Sequence, residues 1–181
     1  MVLALLLASL LSLPASAVEV VFLGVRKGNG EWLELENGSR FAHVAISYEG
    51  GWLHAHPLTG VAHDYDLRRY GIVLERAYHP HWDDPSGLTV ESWIGLKYDH
   101  QFRWSDEKFY CSELVGKLLG LLPRPMDFSA PVWRGRIPST DLGISPQGVY
   151  NDLKKLPGWE FRVSPDTPIQ QDGRDPSPIE L

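Results

Sequence analysis

The sequence predicts one α+β domain, an antiparallel sheet packed on the helix that carries the single cysteine. Three observations predict it. Apolar, β-branched runs separated by Gly- and Asn-containing turns recur between residues 18 and 77. After Cys111, apolar residues fall at Leu114, Val115, Leu118, Leu119 and Leu122, the spacing of one buried helix stripe. A chain of 181 residues, 43% hydrophobic and 22% charged, is long enough for one domain with a real core.

The elements follow in order. Residues 2–13 are an apolar run, and Ala15-Ser16-Ala17 fits small-residue cleavage, so residues 1–17 read as a secretory signal peptide. The run is too short for a comfortable membrane span. The domain is expected over residues 18–163. Residues 18–25 suit a buried strand and residues 32–35 a short one. Residues 41–48 and 52–56 form a hairpin closed at Glu49-Gly50-Gly51. Residues 60–65 and 72–77 read as further strands, 66–70 as a helical turn, and 79–87 as a Pro- and Asp-rich loop. Residues 88–96 read as helical with Thr89 as N-cap. The cysteine helix ends near residues 120–123, and the Pro-, Gly- and Ser-rich stretch 123–147 is expected to wrap the surface. A short helix over 147–156, a strand over 159–163 and a disordered tail over 164–181 complete the chain.

A net charge of −6 argues against general nucleic-acid binding, and no basic run offers a membrane-surface patch, so no stable membrane anchor is expected. An exported protein gains little from one unpaired thiol, which points to a use for Cys111. At a helix start the thiol meets uncapped N–H groups and the positive end of the helix dipole, and its pKa is expected to be depressed. The competing reading is a small, inert core residue.

A cysteine nucleophile needs a base, and the base needs an orienting group. Along residues 41–48 side chains alternate, so Phe41, His43, Ala45 and Ser47 share a face. With a two- or four-residue loop, odd residues of the first strand oppose even residues of the second. That parity places His43, His54 and His56 together and does not choose between the last two. His54, His56, His63, His79, His81, Asp83 and Asp84 also raise a metal site, but they have no recognised ligand spacing, and neither metal nor cofactor is expected.

Phe41-Ala42-His43-Val44-Ala45-Ile46, Lys97-Tyr98-Asp99 with Phe102, and Phe109-Tyr110-Cys111-Ser112-Glu113-Leu114-Val115 together resemble the circularly permuted papain-fold hydrolases of the NlpC-type superfamily. The Tyr-Cys-Ser-Glu-Leu-Val string looks especially like the YiiX/YebB-like branch, and the hairpin resembles the lecithin:retinol acyltransferase branch. The similarity covers residues 40–120, with an echo near 146–153. It implies a permuted papain-like fold and a triad of Cys111 as nucleophile, His43 as base and His54 as third member. Only the hairpin resemblance selects His54. YiiX-like members often carry Glu-Ala where this chain reads His54-Ala55.

The expected activity is exported, thiol-dependent hydrolysis of an amide or ester through an acyl-enzyme. Cell-wall peptides or amide-linked lipids are the substrates the resemblance implies. Tyr110 and Tyr98 are candidates to line the pocket, while Asp99 and Glu113 read as structural. A lipid acyltransferase or phospholipase with the same triad is one alternative. A non-catalytic peptide- or glycan-binding domain, using some of the seven tryptophans for stacking, is another.

Overall fold

The first strand, β1 (Ser16–Gly24), lies inside the sheet and is buried on both faces, with Val20, Val21, Phe22 and Leu23 fully covered. That is why its sequence is nearly continuous in apolar residues rather than alternating. The structure, a computed structural model, describes residues 16–82, 90–134 and 142–165. The expected signal segment therefore lies outside the described residues up to position 15, and Ser16 and Ala17 already belong to β1.

The remaining strands are β2 (His43–Tyr48), β3 (Gly51–His56), β4 (Gly60–Asp64), β5 (Ile72–Trp82), β6 (Arg124–Pro125), β7 (Leu142–Gly143) and β8 (Glu160–Val163). They form a six-stranded sheet of order β4-β3-β2-β1-β5-β8, antiparallel at every pairing, and a small β6–β7 ladder. β2 and β3 are joined by Glu49 and Gly50, both with positive φ (44° and 75°), the left-handed pair that matches a two-residue hairpin to strand twist.

Two helices, α1 (Cys111–Leu118) and α2 (Pro146–Leu153), pack on one face with Val20, Phe22, Val44, Ile46, Leu53 and Ala55. Ser145 caps α2 by accepting the Gly148 N–H, and Pro146 occupies its first turn. On the other face Val21, Leu23 and Ala45 are covered by Leu67 and Tyr70 from the 3-10 turn Arg68–Tyr70 and its lead-in. No helix of the described residues is long and apolar enough to cross a membrane.

Several expectations are corrected. Residues 32–35 form no strand; Trp32 makes an isolated bridge to Arg26, whose guanidinium lies 4.2 Å above the indole ring. The helix expected over 88–96 is a single 3-10 turn, Val90–Ser92, with residues 88 and 89 outside the described set. Its extension fails because Gly95 donates to Val61 and Val61 donates to Leu96, so strand β4 takes the backbone groups that a helix would need. Residues 79–82 extend β5 instead of opening a loop, and Pro80 falls at the register shift between Ser16↔Trp82 and Val18↔His79, where a missing N–H costs no ladder bond. The stretch after α1 does more than wrap the surface: Ile144 is fully buried, and 135–141 lie outside the described residues. Ser164, assigned to the tail, is buried and donates its N–H to Leu74; the tail from 166 is outside the described residues.

Candidate active site

The meander β2–β3–β4 brings three polar side chains into a row. The β2–β3 ladder runs only from Ile46↔Leu53 to Tyr48↔Gly51; carried on, its register sets His43 opposite His56, with His54 as the diagonal neighbour. There a side-chain bond joins the strands: His43 Nε2 lies 3.0 Å from His54 Nδ1, in buried surroundings. His54 Nε2 in turn lies 3.0 Å from Asp64 Oδ2 on β4. Asp64 also accepts the Tyr70 hydroxyl at 2.5 Å and the Arg69 guanidinium at 3.0 Å. His56 stands edge-on to the His43 ring, centroids 5.7 Å apart, and its Nδ1 accepts the Leu58 N–H.

Electrostatics follow from this wiring. Burial pushes the Asp64 carboxyl up, but hydrogen bonds from Tyr70, His54 and Arg69 outweigh it and bring it down to about 2. Burial, then the neighbouring His54 and His56, holds His43 well below the ordinary imidazole range. Burial also lowers His54 despite its bond to Asp64, and carries His56 down to about 4. All three rings are therefore neutral near pH 7.

Cys111 opens α1. Tyr110, the preceding residue, is extended and makes no side-chain cap, so the first N–H groups of the helix carry no capping side chain. The expected low pKa is not found: the thiol is 4% exposed, and burial pushes it up to about 11. The N–H of Val44, the Ser112 hydroxyl and the N–H groups of Ser112 and Cys111 work against that rise without overcoming it. The cover over the helix start outweighs the dipole. The cover here is the returning chain, tied down where the Ile144 N–H donates to the Tyr110 hydroxyl and the Ser112 hydroxyl donates to the Ile144 carbonyl. Above Cys111, the cleft between Tyr98, Phe102, Met126, Phe128 and Trp133 has a free volume of about 20 Å³, room for about one water.

His43 alternates with Val44, so its ring leaves β2 on the side of Ala45 and Tyr70, while Cys111 comes up among Val44 and Ile46. The peptide joining the two residues is common ground, since its N–H is the one that faces the thiol. Among the described residues no hydrogen bond joins the thiol to either ring. Tyr98 and Tyr110 both border the cleft, and the Tyr110 hydroxyl is committed to Ile144. Asp99 caps its own turn through Gln101 and Arg103. Glu113 is fully buried, accepts the Ser105 N–H and pairs with Lys117.

Asp64 was not singled out from the sequence. The signal was present: β4 pairs Trp52↔Asp64 and His54↔Ala62, so Asp64 is the diagonal neighbour of His54 on the same face. Extending the histidine parity by one more strand reaches it. Arg69 and Tyr70 arrive through a 3-10 turn whose path no periodicity reveals.

No family model matches the chain. It is 31% identical over 81 residues to the uncharacterized protein YiiX of Escherichia coli (strain K12), a match covering 35% of this chain and 40% of that protein. The chain thus matches less than half the length of that curated relative. Its fold matches the crystal structure of the metalloprotein YiiX from Escherichia coli O157:H7 (DUF1105) with a TM-score of 0.52 and 20% identity, covering 83% of this chain and 97% of that one. The sequence likeness over 81 residues and the likeness of fold both point to YiiX as what this chain is similar to.

Proposed function

We propose that the protein is an exported thiol-dependent hydrolase, built on a circularly permuted papain-like framework of NlpC type, that opens an amide or ester bond through an acyl-enzyme on Cys111. The observation that carries this reading is the buried His43–His54 pair, 3.0 Å between ring nitrogens, set on strands that pack against the uncapped start of the cysteine helix. Because thiol and imidazole are both neutral at rest, the proton leaves as the bond forms, by general-base catalysis rather than from a standing ion pair. Sγ attacks the carbonyl carbon and its proton passes to His43; thiol and ring share no hydrogen bond at rest, so this step needs them to close on each other around the His43–Val44 peptide when substrate binds. The carbonyl oxygen becomes an oxyanion facing the Cys111 N–H. His43 then hands the proton to the departing nitrogen or oxygen, and water, deprotonated by His43, releases the acid. His54 holds the His43 ring and shares the transient positive charge.

The cleft has room for about one water as it stands and must open for any substrate; its aromatic and apolar walls then favour an apolar acyl group over a charged peptide at the reacting carbonyl, which ranks amide-linked lipids ahead of cell-wall peptides. Transfer of the same acyl group to an acceptor other than water is the acyltransferase variant of this chemistry. The related YiiX structure is that of a metalloprotein, but these residues do not fit a metal. His54 spends both ring nitrogens, one on His43 and one on Asp64, and among the described residues no three His, Cys, Asp or Glu are grouped to hold an ion. Asp83 and Asp84 lie outside the described residues.

Intact-protein mass spectrometry after incubation with long-chain acyl amides and with cell-wall peptides tests the reading. The expected result is an acyl mass on wild-type protein, mapped to Cys111 and absent from Cys111→Ala. Tight binding of either substrate without any adduct or turnover would replace the hydrolase with a binding domain.

A further inference from the structure

We propose that Asp64 is a positioning residue of this site: its carboxylate fixes the protonated nitrogen of His54 and, through it, of His43, leaving His43 Nδ1 as the bare, basic nitrogen. The catalytic consequence rests on the hydrolase reading above; the proton arrangement does not.

The proton positions follow by elimination along a row of three side chains. Asp64 sits against the Arg69 guanidinium and accepts the Tyr70 hydroxyl, so it is an anion with no proton to give. Its contact with His54 Nε2 at 3.0 Å is a hydrogen bond only when that nitrogen carries the proton. A neutral imidazole has one N–H, so His54 Nδ1 is then an acceptor. It faces His43 Nε2 at 3.0 Å, and that nitrogen must be the donor. His43, neutral as well, is left with an unprotonated Nδ1, the ring nitrogen nearest its own main chain. The main chain there is the His43–Val44 peptide, whose N–H faces the Cys111 thiol. The groups that surround the row are accounted for. Tyr70 lies edge-on to His54 at 4.4 Å between centroids, His56 lies beside His43 and Tyr70, and Arg69 stacks on Tyr70 at 4.6 Å. None of them offers His54 Nε2 another acceptor among the described hydrogen bonds.

The reverse arrangement shows what Asp64 prevents. With His54 protonated on Nδ1, its bare Nε2 would face an anion. His43 would accept on Nε2 and carry its proton on Nδ1, where it is useless as a base towards the thiol. Asp64→Asn permits that reversal, because an amide presents a donor once Arg69 and Tyr70 claim its oxygen.

The test is nitrogen-15 NMR of the histidine rings in the full chain near pH 7. Expected in wild type are Nε2–H on both His43 and His54, with both Nδ1 shifts those of bare ring nitrogens. A His43 ring protonated on Nδ1 in wild type overturns the proposal, with no variant needed. In Asp64→Asn the His43 proton should move to Nδ1 and acylation should slow by ~10³-fold. Asp64→Glu, which keeps an anion, should retain the wild-type tautomers and recover part of the rate. An unchanged His43 tautomer in folded Asp64→Asn also overturns the proposal. Wild-type tautomers as expected with no acyl adduct on any substrate would leave Asp64 as the tautomer-setting group and refute the hydrolase; an adduct with His43 protonated on Nδ1 would do the opposite.

Discussion

Asp64 and Glu113 are both carboxylates, one on the histidine side of β2 and the other on the helix that carries the thiol, and their charge near neutrality differs. Asp64 keeps partial solvent contact, 23% of its side chain, and gathers donors from Tyr70, His54 and Arg69, so it is fixed as an anion with a pKa of about 2. Glu113 has no solvent contact and leaves Oε2 without a partner. Burial pushes it up to about 7 against the Ser105 N–H and Lys117. The comparison teaches that the number of donors, more than proximity to the site, decides which carboxylate works as a fixed charge. The histidine side is wired and charged at one end; on the thiol side the cover keeps Cys111 neutral, and Glu113 titrates around neutrality.

The largest effects should come from cutting the wiring. His43→Ala should lower acylation by ~10³-fold, the size of a lost general base. His54→Ala should cost roughly tenfold to a hundredfold, since the base still finds its reactive orientation part of the time. His56→Ala should stay within about twofold, because His56 makes no hydrogen bond to either partner ring. Turnover of the three variants with and without chelator reads this. Equal loss from His54→Ala and His56→Ala, joined to chelator sensitivity, would break the thiol reading in favour of a metal.

Next in size is the pH response of the thiol. With Cys111 at about 11, the iodoacetamide rate should keep climbing beyond pH 9 in the free protein. A rate that levels off below pH 8 would mean that the cover opens in solution and that the helix start wins.

The smallest effect is on stability, and the two carboxylates push it in opposite directions. Glu113 rises from an ordinary 4.5 to about 7, so the folded state holds the proton more tightly. Its contribution is complete below pH 4.5 and is lost as pH rises through 7, by roughly 3 kcal/mol. Asp64 falls from 3.8 to about 2, so its contribution is complete above pH 4 and is lost as pH drops through 2, by roughly 2 kcal/mol. Urea unfolding from pH 2 to 8 should therefore show Glu113→Gln flattening the neutral limb and Asp64→Asn flattening the acid limb. The same slope in both variants as in wild type would dissolve the contrast.

The hairpin was legible because turn chemistry at Glu49-Gly50 and strict alternation around it leave one parity for His43, His54 and His56. The helix stripe from Cys111 through Leu119 was legible for the same kind of reason, a period that only a helix supports, but α1 ends at Leu118 and Leu122, expected in the stripe, is exposed. What escaped depends on contacts distant in sequence. The thiol's environment is set by residues 126–133 and 144–146, which lie over the helix start, and no local pattern at Cys111 registers that cover. The helix expected at 88–96 lost its backbone partners to β4, a competition visible only once the strand is in place. Asp64 needed a third strand in register, one step past where the parity argument stopped.

The meander that holds His43, His54 and Asp64 has a kinetic and entropic side. Its links span 11 and 10 residues, whereas Cys111 reaches β2 across the whole stretch between residues 43 and 111. Closing the longer loop costs roughly 1–2 kcal/mol more in chain entropy than either short one. The cost of assembling the site is thus concentrated on the nucleophile, and sub-global opening that releases α1 leaves the base half standing. A chain that loses its cysteine helix for a moment keeps the three-residue row as a template on which the helix can dock again.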